Sequence, residues 1–266
     1  MTRPDHPSLT NPANPHIKQV RQLRQRKVRD ETGLFVVEGI RHVGEAAQAG
    51  APIEYLCYAP ALLKSAFALE LVRAQAARGR RCYALAPEVF RSLADKENPQ
   101  GLLAVVRRSR AGLQDLRPET HPWLVALVDA QDPGNVGAVL RTIDAVGADG
   151  LILLEGGADP THPNAVRASL GALFWKPVVS ASFADFVAWA RAGGYGLYGS
   201  SAKGATDYRA ARYPRPLVLL LGSEREGLTP DQAAACDVIV RLPMTGRVTS
   251  LNLAVAAGVL LYAQMV

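Results

Sequence analysis

The stretch Leu217-Val218-Leu219-Leu220-Leu221-Gly222-Ser223-Glu224-Arg225-Glu226-Gly227 reads as an apolar strand running into a turn with a glycine at each end. A second apolar run follows over Asp237 to Leu242. Then Pro243-Met244-Thr245-Gly246-Arg247-Val248-Thr249-Ser250-Leu251-Asn252 opens a helix of small and apolar residues to Met265. Two strands thus end in glycine-bearing loops that lead toward helices. α/β proteins bind ligands at such carboxyl ends of strands, where backbone N–H groups face outward. The pattern predicts an α/β fold with a cofactor at these loops.

Upstream, Trp123 to Val128 is an apolar strand followed by Asp132-Pro133-Gly134, which is turn chemistry, with Asn135 as the expected N-cap of the next helix. That helix places Val136, Leu140 and Ile143 on one buried stripe. Arg141 falls about 100° off Leu140, on the flank, where a guanidinium reaches either an ion-pair partner or the end of the sheet. Further elements are a strand Leu151 to Leu154, a loop through Pro163, a helix Ala165 to Leu173, a strand Val178 to Val179, a helix Phe183 to Ala192 and a strand Tyr195 to Gly199. Gly194-Tyr195-Gly196-Leu197-Tyr198-Gly199 matches the G-x-G-x-x-G dinucleotide fingerprint. It coincides with the strand itself instead of following one, so a nicotinamide site is rejected. Thr229-Pro230-Asp231 caps a helix to Cys236. The terminal helix carries too few charges for a solvated surface helix and is expected to be buried in its own domain, in a partner subunit, or both.

Toward the N-terminus, residues 1–16 read as a disordered arm. Ile17 to Arg29 reads as one short amphipathic helix whose Lys18, Arg21, Arg24, Arg26, Lys27 and Arg29 form a cationic face without an acid. Such a face either is merely solvated or contacts RNA phosphates, and the single sign favours phosphates. Strands at Leu34 to Val37, Ile53 to Tyr58, Cys82 to Leu85 and Leu102 to Val106 alternate with helices at Ile40 to Ala49, Ala61 to Arg78 and Pro87 to Ala94. This is a small α/β domain over 17–108. Arg107, Arg108, Arg110 and the polar stretch to Pro122 mark a linker over 109–121, before a second domain over 122–266.

Charge follows this division. Residues 1–120 hold 19 Lys/Arg against 12 Asp/Glu and residues 121–266 hold 11 against 12, so the net +6 comes from the first part, as suits a phosphate-rich ligand. No apolar run approaches the roughly 20 residues of a membrane span, and no secretory signal is legible, so the cytoplasm is expected. Cys57, Cys82 and Cys236, and His6, His16, His42, His121 and His162, are scattered, so neither a disulfide framework nor a metal is expected.

Three segments together resemble the motifs of the SpoU/TrmH family of RNA ribose 2′-O-methyltransferases, within the SPOUT superfamily. They are Asn135-Val136-Gly137-Ala138-Val139-Leu140-Arg141-Thr142, Leu221-Gly222-Ser223-Glu224-Arg225-Glu226-Gly227-Leu228, and Leu242-Pro243-Met244-Thr245-Gly246 running to Ser250-Leu251-Asn252-Leu253-Ala254. Residues 17–106 resemble the small ribosomal-protein-like RNA-binding domain that many members carry, with Glu38-Gly39 after its first strand. The resemblance implies a C-terminal domain tied in a trefoil knot, a homodimer with active sites at the interface, and S-adenosylmethionine held by the knot loops. It implies cofactor contacts at Gly222, Leu242 and Leu251, with Ser200, Ser201 and Ala202 as neighbours. It implies active-site positions at Asn135, Arg141, Glu224, Ser250 and Asn252. In this mapping Arg141 stabilises the developing alkoxide or binds the adjacent phosphate, Asn135 and Asn252 orient the ribose or Arg141, Ser250 shapes the loop, and Glu224 fixes Arg141 or the partner loop. Ser250 and Asn252 read equally well as mere helix caps.

The expected reaction is methylation of a ribose 2′-hydroxyl in structured RNA. The basic first domain favours ribosomal RNA over tRNA. The alternatives are a tRNA ribose methyltransferase, a base methyltransferase of another SPOUT branch, which would not be expected to carry Arg141 in its first motif, and a non-catalytic dimeric RNA-binding protein.

Overall fold

The structure is a computed structural model and describes residues 6–95, 97–109 and 111–265. Residues 1–5 of the expected arm and Arg110 of the expected linker lie outside the described residues. The chain divides into two compact units, Met1–Arg108 with Thr161–Phe174, and Ser109–Pro160 with Trp175–Val266.

The first unit runs β1 (Ser8–Leu9), α1 (Pro15–Gln22), α2 (Arg26–Thr32), β2 (Leu34–Glu38), α3 (Ile40–Gln48), β3 (Ile53–Tyr58), α4 (Ala66–Ala77), β4 (Arg81–Leu85), α5 (Pro87–Leu93) and β5 (Leu102–Arg107). Its sheet has the order β1-β4-β3-β5-β2, with β5 antiparallel to both neighbours and the other pairs parallel. Alternation along β3 and β5 sends Tyr55, Cys57, Leu103 and Val105 to one apolar layer with Ile17, Val20 and Phe90. Leu56, Leu102, Ala104 and Val106 go to the other, with Val43 and Val72. Burial pushes the thiols of Cys57 and Cys82 up to about 12 and about 11, which leaves them inert core residues.

Three expectations change here. The arm is ordered from His6 on, because Ser8–Leu9 adds a parallel strand to β4 and His6 Nδ1 hydrogen-bonds Tyr58 Oη at 3.1 Å. Helix α4 starts at Ala66 instead of Ala61, where the Ser65 hydroxyl accepts the Ala68 N–H. The basic helix expected over Ile17 to Arg29 is two helices, broken at an extended Gln25 (φ −84°, ψ 128°). Arg29 folds back and donates from Nη1 to the carbonyls of Leu23 (2.9 Å) and Arg24 (2.8 Å), two groups that the end of α1 leaves without helical partners. It is 2% exposed and leaves the outer cationic face.

The second unit begins with β6 (Trp123–Val128), α6 (Pro133–Val146) and β7 (Gly150–Leu154). The chain then passes through α7 (Pro163–Ala168). It continues with β8 (Val178–Ala181), α8 (Phe183–Ala192), β9 (Gly196–Ser200), β10 (Thr206–Asp207), β11 (Leu217–Leu221), α9 (Pro230–Ala234), β12 (Val238–Arg241) and α10 (Leu253–Ala263). All seven strands are parallel, in the order β10-β12-β9-β11-β6-β7-β8. The central β6, β7 and β11 are buried along their whole length, as continuous apolar runs in a parallel sheet require. Among the described residues no helix is long and apolar enough to cross a membrane.

The helix expected over Ala165 to Leu173 stops at Ala168. Leu170 is left-handed (φ 47°) and a short 3₁₀ turn, Ala172–Phe174, follows. This segment belongs to the first unit instead of the domain expected over 122–266. Val166, Leu173 and Phe174 pack on that unit's apolar layer, with the Phe174 ring stacked 6.5 Å from Phe35. Arg167 pairs with Asp95 at 2.9 Å.

Candidate active site

The carboxyl ends of β9, β11 and β12 open into a cleft of 420 Å³. Its lining includes Ser200, Ser201, Ala202 and Lys203 after β9, Leu221 to Leu228 after β11, and Leu242, Met244, Thr249, Ser250, Leu251, Leu253 and Ala256 from the last loop and α10. All six residues mapped as cofactor contacts therefore line one cleft, with Glu224 and Ser250 beside them. The pocket of 30 Å³ in the first unit admits little more than a water molecule and is no candidate for a cofactor.

Gly222 shows why the loop after β11 takes its shape. A side chain there would overlap the backbone of Gly227 and Leu228, so only glycine lets the hairpin fold back this closely. Ser223 and Gly227 close that hairpin with paired backbone hydrogen bonds of 3.1 and 3.0 Å, and Gly227 adopts φ 71°. The loop is thus a self-closed rim that presents Glu224 outward, more ordered than a run of open amides.

Glu224 and Asn135 together join the three motif segments. The Glu224 carboxylate accepts the Gln131 backbone N–H at 3.2 Å and the Asn135 side-chain amide at 3.2 Å. The Asn135 carbonyl in turn accepts from Asn252 Nδ2 at 3.0 Å, and Asn252 Oδ1 accepts the N–H groups of Ala254 (2.9 Å) and Val255 (3.3 Å) at the start of α10. Asn252 is therefore both the N-cap of α10 and a member of the site. Asn135 is not a cap: Asp132 caps α6 through the Gly134 N–H at 2.7 Å, with Pro133 at the first helical position. That frees the Asn135 amide to bridge Glu224 and Asn252.

Arg141 lies further along α6, next to buried Leu140, and is exposed. It makes no hydrogen bond or ion pair with the described residues, so Glu224 does not fix it within one chain. Gln131 was not singled out by the sequence. Its backbone N–H holds Glu224, and its side chain donates to Asp129, whose backbone is left-handed at φ 46°. The signal was its place in the turn before Asp132-Pro133-Gly134, which pattern alone does not separate from ordinary loop chemistry.

The cleft fits an adenosine-bearing cofactor. Leu221, Leu228, Leu242, Leu251 and Leu253 offer apolar walls for a flat base, serine hydroxyls and loop backbone lie at the rim, and the volume is that of a small-molecule site. A model of the SpoU rRNA methylase family matches residues 122–262. The chain belongs to this family. A model of an MRM3-like substrate binding domain matches residues 14–104. Family relatives match along nearly the whole chain. A 23S rRNA (guanosine(2553)-2′-O)-methyltransferase, RlmP, of Bacillus subtilis is 30% identical over 252 residues, covering 94% of this chain and 95% of that one. A 23S rRNA (uridine(2479)-2′-O)-methyltransferase of Streptomyces viridochromogenes is 35% identical over 248 residues, covering 90% and 85%. Among solved structures, an AdoMet-bound rRNA methyltransferase from Sinorhizobium meliloti superimposes with a TM-score of 0.88 at 34% identity, covering 97% of this chain and 96% of that one.

Proposed function

We propose that this protein methylates a ribose 2′-hydroxyl of ribosomal RNA with S-adenosylmethionine. The observation that carries the reading is the bonded series Gln131–Glu224–Asn135–Asn252, which joins three separate segments at a cleft lined by all the mapped cofactor positions. S-adenosylmethionine supplies an electrophilic methyl group on a sulfonium. Ser200, Ser201, Ala202, Gly222, Leu242 and Leu251 hold it, and Ser250 shapes the loop at the rim.

Methyl transfer to a hydroxyl is an in-line displacement, so the protein must align the oxygen and stabilise the charge it develops. A guanidinium stays protonated in proteins and cannot serve as the base. Arg141 therefore stabilises the developing alkoxide or binds the neighbouring phosphate, which accepts the proton. Asn135 and Asn252, fixed by Glu224 and by the end of α10, orient the ribose.

A homodimer is part of the reading. One face of α10 is buried through Leu253, Ala257, Leu260 and Leu261, whereas Val255 (51%), Val259 (37%) and Tyr262 (56%) form an exposed apolar row, and Met265 adds to it. Such a row on a helix with no charged residue suits a second copy of the chain, which would complete the site around Arg141, a guanidinium with no partner among the described residues. A trefoil knot in the second unit and a cytoplasmic location belong to the same reading, supported by the family match, and the substrate-binding-domain match over residues 14–104 supports an RNA-binding role for the first unit.

Lys18 is exposed and open to RNA phosphate. Arg26 and Lys27 also lie outward, in i,i+4 pairs with Asp30 (3.5 Å) and Glu31 (3.9 Å), which are weak and exchangeable for phosphate. Arg21 and Arg24 brace α1 through Ser92 and the carbonyls of Pro12, Leu93 and Ala94, so they contribute charge more than reach. Ribosomal RNA is favoured over tRNA because two relatives matched over 94% and 90% of this chain are named for 23S rRNA. Mass spectrometry of ribosomal RNA from a deletion strain should reveal one lost ribose methylation. An unchanged rRNA methylation pattern refutes the substrate, and failure to bind S-adenosylmethionine in calorimetry leaves only a non-catalytic RNA-binding role.

A further inference from the structure

The chain has three tryptophans, and two have their ring faces used within the fold. The Arg215 guanidinium lies 3.6 Å from the Trp123 ring centroid, and Trp189 sits 4.7 Å from the Tyr195 ring. Trp175 differs. It is 44% exposed, and none of the described rings or cations stacks on it. Among the described residues of the second unit, the other large exposed hydrophobics are Val248 and Leu251 in the loop before α10, Leu251 lining the cleft, and the row Val255, Val259, Tyr262 and Met265 assigned to a second copy.

The indole is nevertheless held in place. Its Nε1–H donates to Asp144 Oδ1 at 2.8 Å, and Lys176 Nζ lies 3.8 Å from the same oxygen. Asp144 follows Arg141 by three residues on α6, so the two side chains are neighbours on one helix face, with Cβ atoms roughly 5–6 Å apart. The result is a flat aromatic face fixed at one edge by Asp144, one helical turn from the free Arg141 on α6. Asp144, engaged by the indole and the ammonium, is masked as a repulsive charge.

We propose that Trp175 is a stacking platform for a base of the RNA substrate, holding a nucleotide whose sugar–phosphate backbone runs toward Arg141. This rests on the reading of the protein as an RNA methyltransferase. A nucleobase suits the site because every base has a π face, stacking needs no hydrogen-bond code, and the Arg141 guanidinium on the same face of α6 suits an adjoining phosphate. The tether to Asp144 removes rotamer freedom before binding, which lowers the entropic cost of capture.

The test uses the full-length protein, a ten-nucleotide single-stranded RNA and total ribosomal RNA. Binding of the oligonucleotide should quench tryptophan emission in the wild type. Trp175→Phe should lose most of that quench while keeping most of the affinity. Trp175→Ala should weaken RNA binding by about tenfold to a hundredfold and raise KM for ribosomal RNA, with S-adenosylmethionine affinity and sedimentation unchanged. An undiminished quench in Trp175→Phe, an unchanged RNA affinity in Trp175→Ala, or a changed oligomeric state in either variant overturns the stacking role. A wild type that binds neither S-adenosylmethionine nor RNA overturns the functional reading itself. A wild type that methylates RNA no better than Trp175→Ala overturns only this inference.

Discussion

Replacing Gly222 by alanine puts a methyl group into the backbone of Gly227 and Leu228. Neither can rotate away, as the end of a flexible side chain could, so the strand end or the hairpin must move. Overpacking costs about 1–3 kcal/mol. Opening the Ser223–Gly227 pair of hydrogen bonds instead costs about 0.5–1.5 kcal/mol for each. The two routes are comparable, and Gly222→Ala should destabilise the protein by about 2–3 kcal/mol, lowering Tm by roughly 4–12 °C. Because the hairpin forms the cleft wall, S-adenosylmethionine affinity should fall by at least about tenfold, or 1.4 kcal/mol. Two other glycines calibrate the result. Gly227→Ala meets no atom within 4 Å but sits at φ 71°, so it should cost about 1–2 kcal/mol of backbone strain. Gly246→Ala meets nothing and needs no left-handed backbone, so it should stay within about 0.5 kcal/mol of wild type. Thermal melts and titration calorimetry of the three variants read both quantities. A Gly222→Ala protein that melts and binds like Gly246→Ala would refute the close-approach account of the cleft.

Arg141→Ala should keep S-adenosylmethionine affinity while single-turnover methylation falls by about 10²–10³-fold, the usual loss when one donor to a developing oxyanion is removed; unchanged turnover rules the role out. Tyr262→Asp with Val255→Asp should convert a dimer to monomers in sedimentation without lowering the helix content of α10, whereas an unaltered sedimentation coefficient argues against this face. For Asp237, burial alone would raise the carboxyl, but the Leu197 N–H (2.7 Å) and the Arg191 guanidinium (2.7 Å) outweigh it and hold the group below its ordinary 3.8. A carboxyl lowered in the folded state stabilises above its unfolded value and loses that contribution as pH falls through the folded one. Asp237→Asn should therefore lower Tm at pH 7, and the gap to wild type should close below pH 3.8; a pH-independent gap contradicts the linkage.

Much of the site was legible because its parts are local. Continuous apolar runs marked β6, β7 and β11, Thr229-Pro230-Asp231 announced α9, and Asn252 was readable as the cap of α10. Gly222 was legible only as the turn glycine after an apolar strand; its close approach to the backbone of Gly227 and Leu228 came from the fold. What was misjudged depends on groups distant in sequence or on competition between near neighbours. Asp132, three residues before Asn135, won the cap of α6 because its side chain reaches the Gly134 N–H. The charges of Asp30 and Glu31, just beyond the window taken for the basic helix, turned part of a single-sign face into ion pairs.

Sequence by itself determined most of the elements, since local backbone preference and hydrophobic period depend only on near neighbours, and it displayed the three segments whose resemblance to the family pointed to the site. Tertiary structure alone decided that Glu224 would bind Asn135, 89 residues away, and that Asn135 would bind Asn252, 117 away. It also decided that 161–174 would pack with the first unit, and that Arg29 would turn inward while Arg141 stayed free. Those outcomes turn on which buried polar or apolar group finds a partner across the fold, and no pattern of spacing along the chain encodes that distance.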